Sequence, residues 1–179
     1  EIIKQSGSSI TIGESGDTIT LPSTATLTNF PTNTPLVQAG FSSASQSISS
    51  GADTEIVYTT ITKETPSGKF STSTGRFTPG VTGFYYVSVL ARINGGNNSS
   101  EFGNLQIRLN GSASTNGTQQ GATYRRYQDT GDHNSFEVSC ILELTSVTDY
   151  ISAFIYQNQG SSKTLEANHT NFTAYRLLT

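Results

Sequence analysis

What most narrows the folds open to this chain is a period that it lacks. No window sets apolar residues at i, i+3, i+4 and i+7 over the length of a helix. Short runs of alternating apolar and polar residues recur instead, separated by Gly, Asn, Ser and Pro. They fall at 36–41, 54–61, 76–77, 84–93, 105–109, 122–127, 136–144, 150–156 and 172–177. Nine or ten short strands within about 140 residues predict an all-β sandwich or jelly roll. Hydrophobic residues make up 33% of the chain and charged residues 13%, so its polarity comes from small uncharged side chains that strands accept. Disordered chains draw their polarity from net charge, and this one carries only −3.

One run departs from simple alternation. Across residues 84–91 (Phe, Tyr, Tyr, Val, Ser, Val, Leu, Ala) both faces of the strand carry apolar or aromatic groups. One face fills the core of a sandwich, and the other must be covered as well. A neighbouring subunit is the natural cover.

The first 35 residues read differently. Alternations at 9–13, 17–22 and 24–28 recur every seven to nine residues, and each presents only two or three small apolar side chains on a face. A single ribbon of this kind is only marginally stable alone. Such units gain stability when they wind into a solenoid or wrap around identical copies. Residues 1–35 are therefore expected to form a β-rich stalk or neck, the plain alternative being a Ser/Thr linker, and Pro31 and Pro35 mark a hinge before the head at 36–179.

A family becomes visible at Gly68-Lys69-Phe70-Ser71-Thr72-Ser73-Thr74-Gly75-Arg76-Phe77-Thr78-Pro79, followed by Gly83-Phe84-Tyr85-Tyr86-Val87-Ser88. This signature resembles the globular heads of complement component 1q and their tumour-necrosis-factor-like relatives. Supporting pieces are Ala39-Gly40-Phe41-Ser42, residues 149–154 and the closing Asn171-Phe172-Thr173-Ala174-Tyr175-Arg176-Leu177-Leu178. The resemblance implies a ten-stranded jelly roll that assembles as a homotrimer. Animal members usually follow a collagen stalk of Gly-x-y triplets, which is absent here. The N-terminal repeats resemble instead the β-rich stems of bacteriophage fibres, some of which are capped by heads of this family.

The chemistry expected of an enzyme is missing from the sequence. His133 and His169 stand at no metal-ligand spacing from each other, and there is no phosphate loop, nucleophile elbow or Cys-x-x-Cys pair. Acidic residues are sparse and scattered, and the lone Cys140 reads as a small core residue. No catalysis is expected, although a glycan-cleaving site assembled across subunits stays open. A pI near 5.3, with Arg125-Arg126 the one basic doublet, argues against nucleic acid as a partner. No run of about 20 apolar residues is present to insert in a membrane. Six Asn-x-Ser/Thr sequons read as chance in a chain this rich in Asn, Ser and Thr.

The most suggestive polar segment is 124–134. Tyr124, Arg125, Arg126 and Tyr127 offer stacking faces and bidentate donors to a sugar or an acidic receptor, unless the tyrosines pack and the arginines pair locally. Asp129 and Asp132 offer oxygen ligands to a hard cation such as calcium. The resemblance implies calcium in the matching loop, whereas two aspartates in a loop otherwise read as a solvated turn. Exposed loops at 95–100 and 111–121 suit recognition on a rigid scaffold.

Together these features predict a homotrimeric phage fibre or virion appendage whose head binds a host cell-surface glycan or protein receptor. Attachment to other virion proteins is expected to lie before Glu1, and no cofactor other than calcium is suggested. The alternatives are a secreted, lectin-like recognition module of a cell, or a structural decoration of the virion.

Overall fold

A computed structural model describes residues 33–43, 46–95, 101–111, 118–126 and 133–178. The expected stalk, apart from its last three positions, lies outside the described residues.

The described chain holds thirteen strand segments and one short 3₁₀ turn, Ala167–His169. In order the strands are β1 (Leu36–Gly40), β2 (Ser47–Ile48), β3 (Thr54–Glu55), β4 (Thr60–Thr65), β5 (Phe70–Ser71) and β6 (Arg76–Phe77). The second half holds β7 (Gly83–Asn94), β8 (Phe102–Leu109), β9 (Thr118–Arg126), β10 (His133–Leu144), β11 (Ile151–Gln157), β12 (Lys163–Leu165) and β13 (Asn171–Arg176). All pairings are antiparallel. They form the two-sheet jelly-roll sandwich that the alternation predicts.

The first sheet is organised around β7. Its whole length pairs with β10, while β13 and β12 share its other edge. Beyond them β13 pairs with β1, β1 with β4, and β12 with β2. In the second sheet β11 pairs with β8, and β8 with β9. The other edge of β11 is shared by β3 and β6, and β6 carries β5.

Strict alternation builds the core. From β7, Tyr85, Val87, Val89, Ala91 and Ile93 are fully buried, facing Leu105, Ile107, Ile151, Ala153 and Ile155 of the second sheet. One end is closed by aromatics: Tyr58 lies 5.7 Å from Phe41, 6.1 Å from Phe70 and 5.8 Å from Phe172, ring centre to ring centre. Such tilted ring pairs add to the energy of area burial alone. Burial pushes the Tyr85 phenol up to about 12, and its hydroxyl donates to the Val81 carbonyl at 2.7 Å.

The Thr-Gly-Arg-Phe signature has a structural role. Gly75 sits in the left-handed region at φ 73°, in a turn closed by its N–H donating to the Ser71 carbonyl at 2.8 Å. Arg76 then binds Glu55 through two parallel bonds of 2.8 and 3.0 Å, with its guanidinium 4.5 Å over the Tyr150 ring. Phe77 is fully buried. The motif ties β6 to β3 at the edge of the second sheet.

One expected strand divides in two. Residues 54–61 are expected as a single strand, yet β3 belongs to the second sheet and β4 to the first. Between them Ile56 and Tyr58 stay fully buried while the backbone crosses the sandwich and changes partner. Neither the hydrogen-bond ladder nor the side-chain phase carries through, since Ile61, three residues beyond Tyr58, again packs on the core opposite Ala39. At the opposite side β9 and β10, the open edges of the two sheets, lie next to each other. The Thr123 hydroxyl donates to the Glu137 carbonyl, and Arg125 Nη1 to the Ser135 carbonyl at 2.8 Å.

Candidate recognition surfaces

Each sheet has one face turned away from the core, and the two faces differ in chemistry. On the first sheet the register aligns Ile141, Tyr86, Tyr175 and Leu36 in a single row across β10, β7, β13 and β1. The Tyr86 and Tyr175 rings stand 5.3 Å apart. Ile141 is 62% exposed and Phe84, two residues before Tyr86 on the same face, 40%. Beside the row, Leu36, Gln38, Lys63, Thr173 and Tyr175 help to line a hollow of about 350 Å³. The doubly apolar run at 84–91 thus points one set of side chains inward and leaves Phe84, Tyr86 and Leu90 outward.

The outward face of the second sheet carries polar groups held under aromatic ones. On β8 the outward residues are Phe102, Asn104, Gln106 and Arg108, alternating with buried Leu105 and Ile107. Arg108 is almost fully buried. Its guanidinium lies 4.2 Å from the centre of the Phe154 ring, its Nη2 pairs with Asp53, and its Nε donates to Gln106 Oε1 at 2.8 Å. Phe102 lies between Tyr124 and Tyr156 in near-parallel stacks of 4.9 and 5.5 Å. Its own backbone is fixed by Asn158, whose Oδ1 accepts the Phe102 N–H at 2.7 Å.

The expected binding residues fall partly here. Tyr124 is 67% exposed and stacks on Phe102, and Arg126 stands opposite Phe102 in the register. Successive residues of a strand point to opposite faces. Arg125 accordingly turns the other way, to the Ser135 carbonyl. Tyr127, Asp129 and Asp132 lie outside the described residues, and the calcium expectation lies there with the two aspartates. The sequence reading missed Phe102, Asn104, Gln106, Asp53 and Tyr156, which come from three separate segments. The signal available was the polar set Asn104, Gln106 and Arg108 alternating with Leu105 and Ile107.

Other polar groups have structural partners. Glu166 binds both Arg92 Nε, at 2.9 Å, and His133 Nδ1. Asp149 accepts from Asn110 Nδ2 at 2.8 Å and from the N–H groups of Thr145 and Ser146 at 2.9 and 2.8 Å. These bonds hold its carboxyl below the usual carboxylate range. Among the described residues no group of three or more His, Cys, Asp or Glu is placed to hold a metal ion, and no helix is long and apolar enough to cross a membrane.

Solved structures share this architecture. Murine APRIL at pH 5.0 aligns over 79% of this chain and 98% of its own, at 12% identity and a TM-score of 0.57. The globular domain of zebrafish complement 1qA aligns over 80% and 98%, at 16% identity and a TM-score of 0.52. Eiger TNF from S. frugiperda aligns over 80% and 92%, at 16% identity and a TM-score of 0.55. At such identities the likeness is one of fold. No family model matches the sequence, and no curated protein matches it.

Proposed function

We propose that this protein is the head of a homotrimeric, extracellular recognition protein, and specifically of a virion appendage such as a phage fibre. The observation that carries the reading is the Ile141–Tyr86–Tyr175–Leu36 row, with Phe84 and Leu90, on the outer face of the first sheet. An apolar band across four strands is what a subunit interface covers. In the proposed trimer the first sheets face inward and the second sheets face outward, where a ligand meets them. Three copies on one axis then convert a weak single-site affinity into avidity. The repeats in residues 1–35 support the fibre assignment, serving as the stalk below a head at 36–179.

Light scattering tests the assembly on the full chain and on a form starting at Pro35. The expected mass is three times that of the single chain in each form at micromolar concentration, the full chain being 19.1 kDa, and falls to one chain for Ile141→Asp. Monomeric wild-type protein in both forms overturns the trimer.

A second reading, a secreted lectin-like module of a cell, is favoured by the murine, zebrafish and S. frugiperda origins of the structures that share the fold. A collagen or coiled-coil segment encoded before Glu1 supports it; a virion-anchoring domain there supports the fibre.

A further inference from the structure

Gly51, Asp53, Phe102, Asn104, Gln106, Tyr124 and Tyr156 enclose a recess of about 360 Å³ on the outer face of the second sheet. That volume is at the small end of ligand sites. Three properties separate it from an ordinary patch of sheet. Its aromatic wall is a stack of three rings, with Phe102 between the two tyrosines. Its polar groups are oriented from beneath: Arg108, buried below the surface, takes Gln106 Oε1 and Asp53 Oδ2. The Gln106 amide NH₂ is thereby turned away from Arg108, and Asp53 keeps its second oxygen as an acceptor. Finally, Asn104, only 8% exposed, lines the recess with an Oδ1 that has no hydrogen-bond partner among the described residues. Buried polar atoms are nearly always bonded.

We propose that this recess binds a neutral pyranose sugar of a surface glycan. The proposal rests on the recognition reading above and supplies its ligand class and site. A pyranose ring presents an apolar patch of C–H bonds on one face and a fringe of hydroxyls, each both donor and acceptor, around its edge. The wall supplies aromatic faces for the patch. The fringe meets a donor in Gln106 Nε2, acceptors in Asp53 and Asn104, and the phenols of Tyr124 and Tyr156, which do either. Asp53 and Arg108 neutralise each other within the site, so its floor offers no net charge to a phosphate or a carboxylate. Arg126 sits farther along, opposite Phe102. Tyr124, stacked on Phe102 but 67% exposed, is the ring whose turning outward would open Asn104 to a hydroxyl.

The test uses the full chain and a panel of methyl glycosides of glucose, galactose, mannose and N-acetylglucosamine, followed by saturation-transfer NMR. At least one glycoside is expected to bind, with transfer strongest at the ring protons of one face. Tyr124→Ala, at a side chain exposed enough to spare the fold, is expected to weaken that titration at least about fivefold. Gln106→Ala, which deletes one hydrogen bond, is expected to weaken it about two- to tenfold. No transfer from any glycoside overturns the proposal, as does a titration that neither substitution changes. Binding confined to sialic acid or another acidic sugar also overturns it, moving recognition to Arg126. Light scattering on the same samples separates the two readings. A trimer that binds no sugar removes the recess and leaves the assembly, whereas a monomer that binds removes the assembly and leaves the recess.

Discussion

Gly75→Ala isolates the tightest backbone approach among the glycines of the sandwich. A Cβ on Gly75 would lie 2.0 Å from the Ile56 carbonyl oxygen, 3.0 Å from its carbon and 3.1 Å from the Val57 Cα. None of these is the end of a flexible side chain. Relief therefore requires moving residues 56–57, where the Ile56 N–H donates to the Ala153 carbonyl at 2.9 Å and the Ile56 side chain is fully buried. Two costs add. Holding a residue with a Cβ in the left-handed region costs about 1–2 kcal/mol. Forcing a packed segment aside costs about 1–3 kcal/mol more. Gly68→Ala is the control, because Gly68 has a similar φ of 81° but open space where its Cβ would go. It suffers the first cost alone, and both variants share the stiffening of the unfolded chain, which offsets about 0.4–1 kcal/mol. Urea unfolding at one protein concentration reads the difference. With a slope of about 1–3 kcal/mol per molar, the Gly75→Ala midpoint should fall below that of Gly68→Ala by roughly 1 M. Equal midpoints for the two variants would refute the steric argument, leaving the Thr-Gly-Arg-Phe turn explained by φ alone.

Arg108→Met should destabilise the head by about 3–5 kcal/mol in the same assay, since it strands Asp53 and Gln106 beneath the recess. Asp149, held below its ordinary value of 3.8 by its three donors, favours the folded state when ionised. Its contribution is complete above that ordinary value and disappears as pH falls through the lower folded-state value. Asp149→Asn should accordingly lower the urea midpoint at neutral pH and flatten its fall in acid; an unchanged acid profile would refute the assignment. The Cys140 thiol, half-buried and pushed up by that burial, should react with an aromatic disulfide reagent at pH 8 at least about tenfold more slowly than a free thiol, and at the free rate in urea.

The strands most legible in the sequence are those whose two faces meet different surroundings along their whole length. β7, β10 and β13 fall within a few residues of their expected limits, because Tyr85, Val87 and Val89, or Phe136 and Val138, alternate with groups that do not enter the core. Short segments such as β2, β5 and β12 hold two or three residues each, too few to express a period. The crossing at Ile56–Tyr58 was illegible for a different reason: alternation reports which side of the chain is buried, not which strand bonds to it. The recess was hidden by the same logic. Asn104, Gln106 and Arg108 read as a solvent face, but they are buried on a face that Asp53 and the rings from β9 and β11 help to cover. Only Tyr124 and Arg126, in a conspicuous run of aromatic and basic residues, drew attention from the sequence.

The seam between β9 and β10 bears on how copies of this protein meet. Among the described residues β10 is a twelve-residue edge strand, and a long bare edge invites a strand from another molecule. Here the Ser135 and Glu137 carbonyls already accept from Arg125 and Thr123, and Glu137 and Glu143 put carboxylates along the same border. An incoming strand would have to displace those bonds and accommodate those charges. The molecule thus discourages growth by strand addition, the geometry that runs on without limit into fibrils. Contact through a broad face is left as the easier route, and a face contact whose rotation closes gives a small ring that stops at a fixed number of copies.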